Sequence, residues 1–412
     1  MLPVVNEMIS KLLATAALIG VLAATLTITP IRASESTQPF KITDEIKDRI
    51  NALVDANRTN AAIVIGIVDP NGTQFYSNGK LSKANNSNVN ENTIFAIGSI
   101  TKVFTTILLA DAVQEGVIKL NDPVDKYLPS TIKVPQYNGH RITFEDLATH
   151  TSALPENPPN LCPAFAEANP QTPDEKVQNV LDVTRCTKNY TFDQFYQGLS
   201  NTTLSREPGL KYEYSNFGLS LLGNILTLKS NMSSYEELVT KKILNVLGMN
   251  STSVNLSDEQ KSRLATGHIS GRELPLITPV ASTPEIPSGS LYSSPSDMLK
   301  FASANTGLIK TKLDSAMQES HLIRHSRYIG DNTNTEIYVG LGWFITTNLG
   351  KEIIWTNGGI VGGYNAFIAF NPSTERGIIV LCSAIVDDVD ITNLGLNQKG
   401  KLSSLIWNLL SQ

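Results

Sequence analysis

The most restrictive feature of the chain is its last third. Four strand-like runs, at 340–346, 352–356, 364–370 and 377–383, follow one another with short turns between them. Leu349-Gly350 and Asn371-Pro372-Ser373-Thr374 are two of those turns. A parallel crossover needs a dozen residues or more, so strands this closely joined must be antiparallel. Near the other end, an Ile- and Val-rich run at 61–68, the turn Asp69-Pro70-Asn71-Gly72 and a return at 73–77 predict a hairpin. A helix at 43–56 precedes it, capped by Thr43, with Ile46, Ile50, Leu53 and Val54 as its apolar stripe. A helix at 402–410 closes the chain, and the middle is mostly helical in pattern, at 190–199, 219–228 and 234–247. The pattern predicts an α+β fold: an antiparallel sheet flanked by N- and C-terminal helices, with an inserted, mostly helical lobe. The α+β lobe takes residues 40–95 and 265–412 and the helical lobe 96–264, with the site expected in the cleft between them.

One stretch of the helical lobe carries chemistry. In Ile97-Gly98-Ser99-Ile100-Thr101-Lys102-Val103-Phe104, Ser99 and Lys102 are three apart. On a helix they lie one above the other. A lysine amine can take a serine proton once burial or a charged neighbour lowers its pKa. At a helix N-terminus, free backbone N–H groups also face any oxyanion formed nearby. Val103, Phe104, Ile107, Leu108 and Val113 predict a deeply buried helix running to about Glu115, which suits a nucleophile held on a rigid element. Alone, the spacing is equally that of a solvated helix face.

Two further stretches supply companions. Tyr214 and Asn216 stand two apart ahead of an apolar helix, so an extended loop would send a phenol and an amide into one cleft. The phenol can shuttle a proton if a lysine cation lowers its pKa, and the amide can hold a substrate carbonyl or steady the lysine. The plainer alternative is a packed tyrosine and a capping asparagine. In Trp355-Thr356-Asn357-Gly358-Gly359-Ile360-Val361-Gly362-Gly363-Tyr364, four glycines in six positions let a backbone or ligand come very close. A substrate could then add to the strand edge, with the Ser99 and Gly359 N–H groups forming an oxyanion hole; a tight hairpin turn is the other reading.

Composition excludes several classes. A formal charge of −5 with no run of Lys or Arg argues against nucleic acid as a partner. Residues 1–34, with Lys11 ahead of an apolar run at 12–28, read as a secretory signal peptide or an uncleaved membrane anchor. The protein is therefore expected to be secreted or extracytoplasmic, and anchored at its N-terminus if the segment is retained. Cys162 and Cys186 flank a Pro- and Asn-rich segment and form a disulfide or remain two thiols, whereas Cys382 sits in an apolar strand. Residues 155–190 read as largely irregular, a length that usually marks a task such as bordering a cleft. His321 and His325, four apart, could share a helix face, but no third ligand is apparent, so no metal and no cofactor is expected. His150 reads as structural. The oligomeric state is left open.

Ser99-x-x-Lys102, Tyr214-x-Asn216 and a strand ending in Thr356-Asn357-Gly358, in that order and spacing, resemble the class C β-lactamase and penicillin-binding-protein-like serine hydrolase superfamily. Leu147-Ala148-Thr149-His150-Thr151-Ser152-Ala153-Leu154-Pro155 and Gly289-Ser290-Leu291-Tyr292-Ser293-Ser294-Pro295-Ser296-Asp297-Met298 resemble it too, and the insert after Pro155 is similar to that of D-alanyl-D-alanine carboxypeptidase/endopeptidases. The resemblance spans residues 40–410. It implies a β-lactamase-related catalytic domain over 35–412, a β-lactamase/transpeptidase-like fold, and hydrolysis of an amide or ester through an acyl-enzyme. Ser99 would be the acylated nucleophile, Lys102 would help take its proton, and Tyr214 would act in acylation and deacylation. Asn216 would contact the substrate amide, beside Thr356, Gly358 and Gly359. The implied partner is a small peptide, β-lactam or ester. Where Thr356 stands the family usually has a Lys or His; a hydroxyl there weakens recognition of a substrate carboxylate and favours an esterase. A degenerate member that binds a peptide or cell-wall fragment without turnover is the remaining reading.

Overall fold

The computed structural model describes residues 40–57, 61–163, 170–275, 283–329, 335–359, 361–384 and 402–412. Residues 1–34, expected to be a signal peptide or anchor, lie outside the described residues. Its main sheet has strands β1 (Ile63–Asp69), β2 (Gly72–Asn78), β3 (His325–Ile329), β4 (Thr335–Val339), β5 (Phe344–Asn348), β6 (Lys351–Gly359), β7 (Asn365–Asn371) and β8 (Arg376–Cys382). The order is β2-β1-β8-β7-β6-β5-β4-β3, and every pair is antiparallel. The two ends of the chain meet where β1 lies beside β8, with Ile65 opposite Val380.

The principal helices are α1 (Asp44–Asn57), α2 (Thr101–Gln114), α3 (Pro173–Lys188), α4 (Asn216–Ser230), α5 (Pro295–Thr306) and α6 (Leu402–Leu410). Strand alternation divides the core in two. Ile63, Ile65, Ile67, Trp355, Phe367 and Val380 pack with Ile46, Ile50, Ile406 and Trp407 of the terminal helices. Val64, Ile354, Ile368 and Leu381 face the other way, toward α2, α4 and α5. On that side Thr101 to Ala110 of α2 are all buried. A helix buried around its whole circumference lies inside the domain, and burying each large apolar side chain there contributes roughly 1.5–3 kcal/mol. Val113, near its end, is only half-buried.

Three expectations differ from the structure. Residues 155–190 are not largely irregular, because α3 occupies sixteen of them. Thr172 caps α3 in a reciprocal box with Glu175, and Pro173 takes its first turn. The stretch 288–293 reads as extended from its sequence, but Ser288 and Gly289 belong to the helical turn Ile286–Gly289, ahead of the short strand Tyr292–Ser293. His321 and His325 do not share a helix face: His321 ends a helix, half-buried and bonded to Asn305, while His325 begins β3 and meets the Gly209 carbonyl. Among the described residues no helix is long and apolar enough to cross a membrane, and none of the His, Cys, Asp and Glu side chains gather as a metal site would require.

Candidate active site

The turn before α2 is shaped by glycine. Gly98 has φ +50 and opens the 3-10 turn Gly98–Ile100, which runs into α2. Thr101 locks that turn: its hydroxyl donates to the Gly98 carbonyl at 2.7 Å and accepts from the Leu291 N–H at 3.1 Å. Ser99 thus sits just ahead of α2, half-buried, with Lys102 one turn on and 3 % exposed.

The Tyr214–Asn216 segment is positioned by Ser215 between them. The Ser215 hydroxyl accepts the Gly218 N–H at 2.9 Å, capping α4, and donates to the Pro155 carbonyl at 2.7 Å. Its backbone N–H donates to Nδ1 of buried His150 at 3.0 Å. With the cap residue held there, Tyr214 and Asn216 both line the cleft. The His150 ring also lies 4.7 Å from that of Tyr214. His150 therefore carries the structural role expected of it, but in contact with the site, and it lines the cleft as well.

Around Ser99 the polar atoms converge. Lys102 Nζ is 3.0 Å from Ser99 Oγ, donates to Asn216 Oδ1 at 2.7 Å and to the Ser288 carbonyl at 2.6 Å. Tyr214 Oη is 2.6 Å from Ser99 Oγ, and Lys102 Nζ lies 4.8 Å from the Tyr214 ring centroid. Burial lowers the Lys102 pKa to about 7, against the opposing charges of Glu156 and Glu285. Burial likewise raises Glu285 to about 7, with Lys102 opposing. His150 falls to about 3, chiefly through burial and then through the charges of Lys102 and Arg327. The expectation that a lysine cation would lower the Tyr214 pKa is corrected: burial raises it to about 12, and the Ser99 hydrogen bond only partly offsets this. Near neutral pH Tyr214 is a phenol, while Lys102 and Glu285 are the groups of the site that can exist in either state.

The third stretch is β6. Ile353 and Trp355 face the terminal helices, while Ile354 and buried Thr356 face the cleft side. At the end of the strand, a Cβ on Gly358 would fall on the Ile97 carbonyl oxygen and 3.0 Å from Ser99 N. Only glycine permits that approach. A Cβ on Gly98 would in turn lie 3.4 Å from Gly359 N. The Ser99 turn and the Gly358-Gly359 edge are thus packed backbone to backbone.

The cleft encloses about 930 Å³. Several of its residues went unnoticed in the sequence. The Ser288 carbonyl that holds Lys102 has no side-chain signature. Glu156 falls in the stretch read as irregular, and Glu285 in one given no reading. Arg327 comes from β3, a strand the sequence reading did not assign; its guanidinium carbon lies 4.3 Å from the Phe344 ring centroid and 5.3 Å from that of Tyr212. Cys162 and Cys186 are joined, with Cα atoms 5.9 Å apart.

A sheet flanked by the terminal helices, with a serine and a buried lysine at the start of a central helix, defines the β-lactamase/transpeptidase-like class of serine hydrolase folds. The chain belongs to the Beta-lactamase family, whose model matches residues 47–392. It is 28 % identical over 366 residues to the D-alanyl-D-alanine-carboxypeptidase/endopeptidase AmpH of Escherichia coli (strain K12), covering 86 % of this chain and 87 % of that protein. It is 30 % identical over 298 residues to Protein flp of Staphylococcus aureus (strain MRSA252), covering 71 % of this chain and 53 % of that protein. In fold it is similar to a Beta-lactamase/D-alanine Carboxypeptidase from Yersinia pestis, crystallised with citrate, at a TM-score of 0.68 and 22 % identity, covering 89 % of this chain and 97 % of that one.

Proposed function

We propose that this protein is an exported serine hydrolase that cleaves an amide or ester through an acyl-enzyme on Ser99. The observation that carries this reading is Ser99 Oγ set 3.0 Å from a buried lysine nitrogen and 2.6 Å from a phenol. Neutral Lys102 takes the Ser99 proton as Oγ attacks the carbonyl carbon. The oxyanion forms beside the Ser99 and Gly359 N–H groups. The bond to the amine or alcohol then breaks, and that group leaves with a proton passed from Lys102 through Tyr214. Water next attacks the Ser99 ester and gives a proton to the same pair; the ester bond breaks, Ser99 Oγ takes that proton back, and the free acid departs. Asn216 holds Lys102 in reach of Ser99 and offers its amide to the substrate. The Cys162–Cys186 disulfide supports an oxidising compartment.

The relatives' names point to D-alanyl-D-alanine peptides and β-lactams, both of which carry a carboxylate. Thr356 supplies no charge for one, but Arg327 places a guanidinium in the same cleft. That supports a D-alanyl-D-alanine carboxypeptidase or β-lactamase-like activity. Thr356 favours the second reading, an esterase of the same fold. Hydrolysis of a D-alanyl-D-alanine peptide, a chromogenic cephalosporin and a p-nitrophenyl ester, each with the Ser99→Ala variant alongside, tests the proposal. Ser99-dependent release of product from any of them is the expected result. Acylation without release would point instead to a sensor, and equal release by the variant would overturn the reading.

A further inference from the structure

Helix α3 has an amphipathic sequence but no buried residue. Val177, Val180, Leu181 and Thr184 follow the spacing of an apolar stripe, and a stripe of this kind ordinarily packs on a core. Here Val180 and Thr184 of that stripe line the cleft that contains Ser99 and Tyr214, together with Val183 and Thr187 and flanked by Asn179 and Lys188; the two valines and two threonines stay half-buried. The helix is tied down at both ends. Asp174 in its first turn pairs with Arg272 at 3.0 Å. Cys186 in its last turn is bonded to buried Cys162, next to Leu161, which also lines the cleft. A helix face carrying two valines and two threonine methyls has thus been fixed against a cavity rather than against protein. At about 930 Å³ the cavity is large for the substituents of an alanyl group and fits a drug-sized one.

We propose that Val180, Val183 and Thr184 of α3, with Leu161, form a specificity-determining subsite for an apolar acyl group, an alkyl or aryl chain, and that the Cys162–Cys186 disulfide holds this wall in place. The proposal rests on the Ser99 acyl-enzyme reading. We assign the wall to the acyl arm, which stays in the cleft until water releases it, whereas the leaving group departs in the first half of the reaction.

The test compares p-nitrophenyl octanoate with p-nitrophenyl acetate, below micelle-forming concentrations, on the oxidised protein. The octanoate is expected to have the higher kcat/KM by roughly tenfold or more, as burial of several methylenes implies. Val183→Asp and the Cys162→Ser/Cys186→Ser pair are each expected to lower that ratio by roughly tenfold. Val183→Thr, which keeps the shape of the side chain, is expected to lower it severalfold. Lys176→Asp, on the exposed side of α3, is expected to retain it. A ratio near one in the parent, or one unmoved by both Val183 changes, overturns the proposal. Calorimetric binding of octanamide and acetamide to Ser99→Ala, which cannot be acylated, separates the two claims. Tighter octanamide binding with no turnover of either ester keeps the subsite and removes the acyl-enzyme; turnover without chain preference in rate or binding does the reverse.

Discussion

Lys102 should make the protein's stability depend on pH in a direction opposite to that of a paired lysine. Its pKa is lowered from an ordinary 10.5 to about 7 by burial. At ~1.4 kcal/mol for each pH unit, protonating it in the folded state costs about 5 kcal/mol more than in the unfolded chain. Between pH 7 and 10.5 the unfolded state therefore binds more protons than the folded one, and stability rises with pH. The perturbation is Lys102→Met, made with its parent in a Glu285→Gln background, because Glu285 also titrates near 7. Urea unfolding followed by tryptophan fluorescence gives the stability of each protein at pH 7, 8 and 9. The difference between lysine and methionine proteins should move by about 2 kcal/mol in favour of lysine from pH 7 to pH 9. In the Glu285-containing enzyme, kcat/KM should rise through pH 7 with the same lysine. A stability difference that does not change with pH would refute the reasoning, because the lysine would then ionise as it does in water and could not serve as the base.

Three other substitutions bear on the same site. Asn216→Ala removes the 2.7 Å acceptor of Lys102; at about 2 kcal/mol for a charge-assisted bond, kcat/KM should fall on the order of 30-fold, and its rising limb should move to lower pH. Gly358→Ala puts a methyl on the Ile97 carbonyl; steady-state kinetics should show a loss of roughly 100-fold, because the strand edge must shift from Ser99, while urea unfolding shows a loss of only about 1–3 kcal/mol. Arg327→Gln should lower the kcat/KM ratio of a carboxylate-bearing substrate to a neutral ester by roughly tenfold, and a ratio that stays put would remove Arg327 from substrate recognition.

What was legible in the sequence follows from locality. Ser99 and Lys102 are three residues apart, so helical geometry alone brings them together. Tyr214 and Asn216 are read together because they stand two apart ahead of an apolar helix; the structure adds that Ser215 between them caps that helix. The C-terminal strands were visible because short turns leave them one way to pair. Helix α3 escaped notice although its start, Thr172-Pro173-Asp174-Glu175, carries a capping signal; the Pro- and Asn-rich surroundings outweighed it, and its apolar stripe has no core to pack on. The hairpin of β3 and β4 was missed because His321 and His325 suggested a helix face. Of the chemistry that depends on burial, only the lowered lysine was legible. The Tyr214 phenol is pushed up rather than down because its surroundings exclude water more strongly than any cation favours the phenolate. The Ser288 carbonyl reaches Lys102 from 186 residues away, and Arg327 joins the cleft through a strand with no motif of its own.

The central claim is that Ser99 becomes covalently acylated. Intact-mass spectrometry of the purified protein, after exposure to a fluorescent penicillin, a p-nitrophenyl ester and a D-alanyl-D-alanine peptide, tests it directly. The account expects a mass increase equal to the acyl group with at least one of the three, lost in Ser99→Ala and decaying as free acid is released. An adduct of the same size on the Ser99→Ala variant, or hydrolysis by the parent that the variant matches, would contradict it.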